Sequence, residues 1–156
     1  MRPFETAESS DYPTVRQISV FLENRCGQLL RLTKLFEETD IHILGLSIVH
    51  AVECAVARLL VDDPDTASKR LRDAGFAITE SELLVVLLPP GSRGLLSICS
   101  ALLRSEVSID YLYPLLPHPH GQPAVALRVD DIDMAVASLK AAKFQVLDQS
   151  DLRGKP

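Results

Sequence analysis

An internal repeat constrains this chain more than any other feature. The segment VDDPDTASKRLRDAGFAI at 61–78 aligns without gaps on VDDIDMAVASLKAAKFQV at 129–146. The shared positions are a Val, three Asp, two Ala, a Leu and a Phe. That set combines acids where a helix starts with apolar residues at helical spacing behind them. A chain carrying such a segment twice is expected to contain two similar units.

The surroundings of each copy define the unit. In the first, Val15 to Leu22 is β-rich, ENRCGQ interrupts it, and Leu29, Leu32, Leu35 and Phe36 recur at helical spacing as far as Asp40. Two apolar runs follow, Ile41 to Ala51 and Cys54 to Val61, with a turn predicted at Val52-Glu53. Asp63 is then placed to cap a helix, Pro64 to open it and Asp65 to favour its dipole. Ala67, Leu71 and Ala74 would face inward, Gly75 would end the helix, and Phe76 to Ser81 would form a short strand. The order is βαββαβ. In the second copy Gly94 in PPGSRGLL corresponds to Gly27. Leu95, Ile98, Cys99 and Leu102 mark a helix face, and the runs 107–116, 124–129 and 144–147 repeat the strands. The expected division is a loose arm over 1–14, one domain over 15–81 and another over 82–152, joined without a flexible linker. The fold class is α+β: two ferredoxin-like domains in tandem, with antiparallel sheets and helices on one face. Leu44, Leu46 and Ile48 on one strand face, with Ile41, Ile43 and Val49 on the other, call for a second cover from a neighbouring copy, in the chain or in a partner.

Composition narrows the function. A formal charge of −5 argues against nucleic acid as a partner. The longest apolar run, Leu83 to Leu88, is far short of the roughly 20 residues that span a bilayer, and the start shows no apolar leader, so a soluble cytoplasmic protein without membrane contact is expected. Cys26, Cys54 and Cys99 are widely spaced and expected as reduced thiols, mostly buried, with Cys54 and Cys99 in the core.

The run Asn24-Arg25-Cys26-Gly27-Gln28-Leu29 before a helix resembles the first loop of ACT domains, small regulatory modules that bind amino acids. The stretches Pro90-Gly91-Ser92-Arg93-Gly94-Leu95 and Val107 to Tyr113 resemble the second half of free-standing tandem ACT proteins, so the likeness runs from residue 15 to about 152. The proline that often precedes the loop glycine in that family is Cys26 here, and Arg93 in copy two. The resemblance implies a non-enzymatic regulatory protein, homodimeric, without cofactor or metal. It would hold an amino acid between ACT units and act on a separate, unidentified protein. It points to Asn24, Arg25, Cys26, Gly27, Gln28 and Leu29 as binding residues, with Ser92, Arg93, Gly94 and Leu95 at the second loop.

The residues supply a physical reason for that loop. A glycine there allows close approach and positive φ, and the next amides lack helical partners, so they favour a carboxylate. Asn24 offers both a donor and an acceptor to a zwitterion. The same glycine also serves simple helix-on-sheet packing. Tyr111 and Tyr113 share a strand face and suit either a domain interface or a pocket wall. His42 and His50, at even spacing, would share a face. His118 and His120 would form a turn or supply two ligands of a metal site. Cys26, beside Arg25 and a helix start, could be reactive or an ordinary loop residue. The pairs Asp62-Asp63 and Asp130-Asp131 are assigned to helix capping. Two other classes stay open: a structural or protein-interaction module without ligand, and a glyoxalase-like metal enzyme, which the second repeat also resembles.

Overall fold

The computed structural model describes residues 13–23 and 26–153. The arm expected over 1–14 falls almost wholly outside them. The elements run β1 (Val15–Glu23), α1 (Gln28–Glu37), β2 (Ile43–His50), β3 (Cys54–Val61), α2 (Pro64–Asp73), β4 (Ala77–Leu87), α3 (Gly94–Arg104), β5 (Ile109–Pro114), β6 (Ala124–Val129), α4 (Ile132–Ala141), β7 (Val146–Leu147) and α5 (Gln149–Leu152). The βαββαβ order thus occurs twice, closed by a short extra helix.

The repeated Asp pairs do two jobs, not one. Asp63 and Asp131 cap α2 and α4 by accepting from the amides of Thr66 and Met134. Hydrogen bonds from Thr66 hold the Asp63 carboxyl below the ordinary carboxylate range. The first acid of each pair, assigned to capping from the sequence, instead fastens the start of another strand. Asp62 Oδ1 accepts from the His42 amide at 2.8 Å, and Asp130 Oδ1 from the Ser108 amide at 2.9 Å. Gly75 ends α2 at φ 87° as expected, and Lys143 takes the same left-handed place after α4 at φ 65°.

The strands form one sheet in the order β2-β3-β1-β4-β6-β5, with β7 also on β4. β4 serves both halves. Its residues 77–83 pair with β1, residues 84–87 with β6, and Val85 and Val86 also with β7. The expected short strand ending at Ser81 therefore continues without a break into the next. The first stretch is an edge for one half, and Leu83 to Leu87 are buried on both faces at the centre of the other, hence the unbroken apolar run. The sheet curls until its end strands touch, where the Leu116 amide donates to the Leu44 carbonyl at 2.7 Å.

Three apolar clusters result. One lies between the first half's sheet and its helices, around Ile18, Leu32, Leu59 and Leu71; another does the same for the second half, around Leu84, Ile98, Leu127 and Leu139. The third belongs to both halves. Val15, Leu44 and Leu60 from the first meet Val85, Tyr113, Leu115 and Leu147 from the second. The second cover that the strand pattern demanded is therefore supplied within the chain. Bulges at Ile43/Gly45 and Ile109/Tyr111 decide which side chains take part. The first sends Leu44 into the shared cluster and Leu46 into the helix-side one, so the two do not share a face as expected. It also separates His42 from the parity of His50.

A polar group sits inside the shared region. Gln17 is 0% exposed, accepts from the Tyr113 hydroxyl at 2.7 Å, and donates to the Tyr111 hydroxyl at 2.8 Å and to Ser81 at 3.2 Å. Burial pushes the Tyr113 hydroxyl well above its usual pKa. The Arg58 guanidinium lies 3.7 Å from the centroid of the Tyr111 ring.

Candidate functional site

The starts of the four long helices fall into two kinds. α2 and α4 begin with an Asp cap and carry a further acid in the first turn, Asp65 and Asp133. α1 and α3 begin at Gly27 and Arg93 with no side-chain cap bond among the described residues and no acid in the first turn. Among the described residues, no side-chain acceptor meets the first-turn amides of α1 and α3, which point along the positive end of the helix dipole.

At α1 the geometry is that of a tight corner. Gly27 holds φ 82° and ψ 0°, conformations that side chains with a β-carbon adopt with difficulty, and the space where such a carbon would point is open. Cys26 and Gly27 are exposed, Gln28 is half-buried, and Leu29 is 37% exposed. Asn24 and Arg25 lie outside the described residues. Beside the corner is a cavity of about 330 Å³. Phe21, Leu22 and Phe76 give it an apolar wall, and Gln28, Arg31 and Glu53 contribute polar groups. Arg31 is anchored from two sides: its guanidinium lies 4.4 Å from the Phe76 ring centroid, and Nη2 donates to the Ala74 carbonyl at 2.7 Å. Arg31 and Glu53 were not singled out from the sequence. The usable signal was a cation one turn into the helix that follows the loop glycine, and an acid in the β2–β3 turn that the fold brings beside it.

The second loop is built differently. Gly94 does not match Gly27 in role: it is the first residue of α3, buried, with an ordinary φ. A β-carbon there would meet the Pro89 carbonyl oxygen and Cδ, each at 3.1 Å. The residue at the cap position is Arg93, and positive φ moves to Gly91, at 100°. Ser92 and Arg93 are exposed, and Leu95 is 44% exposed, off the inward face that Gly94, Ile98, Ala101 and Leu102 form.

Other sequence-based expectations find their places. Tyr111 and Tyr113, 6.5 Å apart between ring centroids, pack with Gln17 between the halves, and neither lines the cavity beside Gly27. His42 Nδ1 lies 2.8 Å from Asp62 Oδ2. His118 and His120 sit in a short turn over 117–121, and no group of three or more His, Cys, Asp or Glu suited to a metal occurs among the described residues. The thiols are free, with Cys26 exposed and Cys54 and Cys99 partly exposed, so the expected burial is not found: Cys54 lies at the strand end beside the cavity, and Cys99, midway along α3, is not among that helix's buried residues. No helix among the described residues is long and apolar enough to cross a membrane.

The comparisons agree with this architecture. The family model described as an ACT domain pair matches residues 13–154, and the chain belongs to that family. A crystal structure of a Bacteroides thetaiotaomicron protein is similar with a TM-score of 0.82 at 28% identity, covering 91% of this chain and 97% of that one. The ligand-free regulatory subunit of aspartate kinase from Thermus thermophilus has a TM-score of 0.58 at 11% identity, over 85% and 93% of the two chains. The corresponding subunit from Thermus flavus gives 0.56 at 11% identity, over 85% and 94%. These last two likenesses concern the fold alone. The sequence has no match among curated proteins.

Proposed function

We propose that this ACT domain pair is a non-enzymatic regulatory protein of the cytoplasm that binds an amino acid at the β1–α1 corner. The observation that carries the reading is the start of α1 at Gly27, without a side-chain cap among the described residues and without an acid in its first turn, beside a cavity holding Arg31, in a chain whose α2 and α4 are both Asp-capped. The ligand's carboxylate is received by the α1 amides and Arg31, its ammonium by Glu53, and its side chain by Phe21 and Phe76. Asn24, Arg25, Cys26, Gln28 and Leu29 complete the loop, and a second chain in a homodimer covers its open side. Ser92, Arg93, Gly94 and Leu95 form a non-equivalent second loop. With no catalytic role assigned to any residue, control passes to a separate protein through ligand-dependent assembly.

Calorimetry across the twenty amino acids is expected to find one or a few ligands. Gly27→Val, a β-branched residue forced into a left-handed conformation, should abolish that binding with far-UV circular dichroism near native. Retained affinity would remove the site from this loop.

A second reading has its own observation. The outer face of α3 exposes Leu96 at 63% and Leu103 at 75%, which suits a protein-interaction module. Silence across the amino-acid set would favour it.

A further inference from the structure

A larger cavity, of about 560 Å³, opens on the seam where the two halves close on each other. Leu44 of β2, Pro117 and Pro119 of the loop after β5, and Leu152 of α5 supply its apolar wall. The seam is firmly tied there. The Leu116 amide bonds the Leu44 carbonyl, and Gln149 of α5 accepts from the Arg16 amide at 3.1 Å and donates to the Val61 carbonyl at 3.3 Å.

The polar groups on this cavity come from two segments, His118 and His120 from the loop after β5 and Ser150, Asp151 and Arg153 from α5 and its end. Asp151 accepts from the Asp148 amide at 2.9 Å and Ser150 donates to Asp148 at 2.5 Å, so α5 uses its acids in its own capping box. His118 and His120 also line the cavity, and their ring nitrogens make no hydrogen bond among the described residues. Arg153 brings a guanidinium that also faces Asp63. The histidine segment is stiff. Two prolines restrict it, and His120 holds φ 53° and ψ 27°, a left-handed conformation disfavoured for any residue with a β-carbon. The turn is locked by the Gly121 amide donating to the His118 carbonyl at 2.9 Å and the Gln122 amide to the Pro119 carbonyl at 3.1 Å. A pocket of this size, with apolar side chains and hydrogen-bond donors together in its lining, has the composition of a small-ligand site.

We propose that the seam cavity binds a small organic carboxylate with an apolar body, the imidazoles of His118 and His120 and the Arg153 guanidinium receiving the carboxylate while Leu44, Leu152 and the two prolines receive the body. The site is separate from the corner at Gly27 and does not depend on it.

The test uses the full chain, with benzoate as the probe and benzylamine as its cationic counterpart. Imidazole NMR signals of His118 and His120 should shift saturably with benzoate and stay in place with benzylamine. His118→Gln and His120→Asn, the latter keeping the left-handed backbone that Asn tolerates, should each weaken benzoate binding by about tenfold. Gly27→Val should leave it unchanged. The assignment is overturned by equal responses to benzoate and benzylamine, by a failure to saturate below about 10 mM, or by undiminished affinity in the doubly substituted protein.

Discussion

The two halves of this protein share one plan and differ at one corner. Their second helices are near copies: an Asp cap, a second acid in the first turn, a fastening acid just upstream, and a left-handed residue after the last turn, Gly75 in one half and Lys143 in the other. Their first helices diverge. α1 starts from an exposed glycine at positive φ with open space around it, whereas α3 starts from Arg93 and presses Gly94 against Pro89. The parts that repeat secure each half internally; the part that varies is the corner at which we propose the ligand binds. A duplicated scaffold thus keeps its capping chemistry in both copies and leaves one loop free to specialise.

Three pairs of substitutions break or sharpen this comparison. Leu71 and Leu139 occupy equivalent, fully buried positions in α2 and α4. Replacing either by Ala should cost about 3 kcal/mol in urea unfolding, and the two losses should agree within about 1 kcal/mol. A large disparity would mean that the repeated segments do not bear equal loads. At the diverging corner the pair should respond unequally. Gly27→Asn is expected to cost only about 0.5 kcal/mol, since Asn accepts the left-handed region. Gly94→Asn, with its β-carbon driven toward the Pro89 carbonyl, should cost about 2 kcal/mol. Equal losses in thermal unfolding would deny that the glycines serve different ends. The smallest effect belongs to the helix ends: Lys143→Gly should stabilise by roughly 0.5 kcal/mol and Gly75→Lys should destabilise by about 1 kcal/mol. Opposite signs in denaturant midpoints are the check.

Much of this was legible in the primary structure because the responsible interactions are local. Asp63 and Asp131 cap helices that start one residue later, Pro64 and Asp65 act within the same turn, and Gly75 ends the helix it follows. The candidate site was legible in part: the glycine corner and its uncapped helix could be expected from Gly27, whereas Arg31, Glu53 and Phe76 join it through folding of three separate segments. Alignment by element order matched Gly94 to Gly27, yet helix α3 begins at Gly94 itself and Arg93 takes the cap. The parity of β2 misled for a related reason. A bulge adds one residue to one strand, and every side chain beyond it changes face.

The sequence by itself determined that the chain is a doubled βαββαβ unit with capped second helices and open first ones, because spacing and capping act over a few residues. Only the tertiary structure decided that β4 belongs to both halves, that Gln17 and the two tyrosines are buried between them, and that Asp62 and Asp130 secure distant strands. Those outcomes depend on register and on which sheet faces meet, and neither is encoded in any short window of residues.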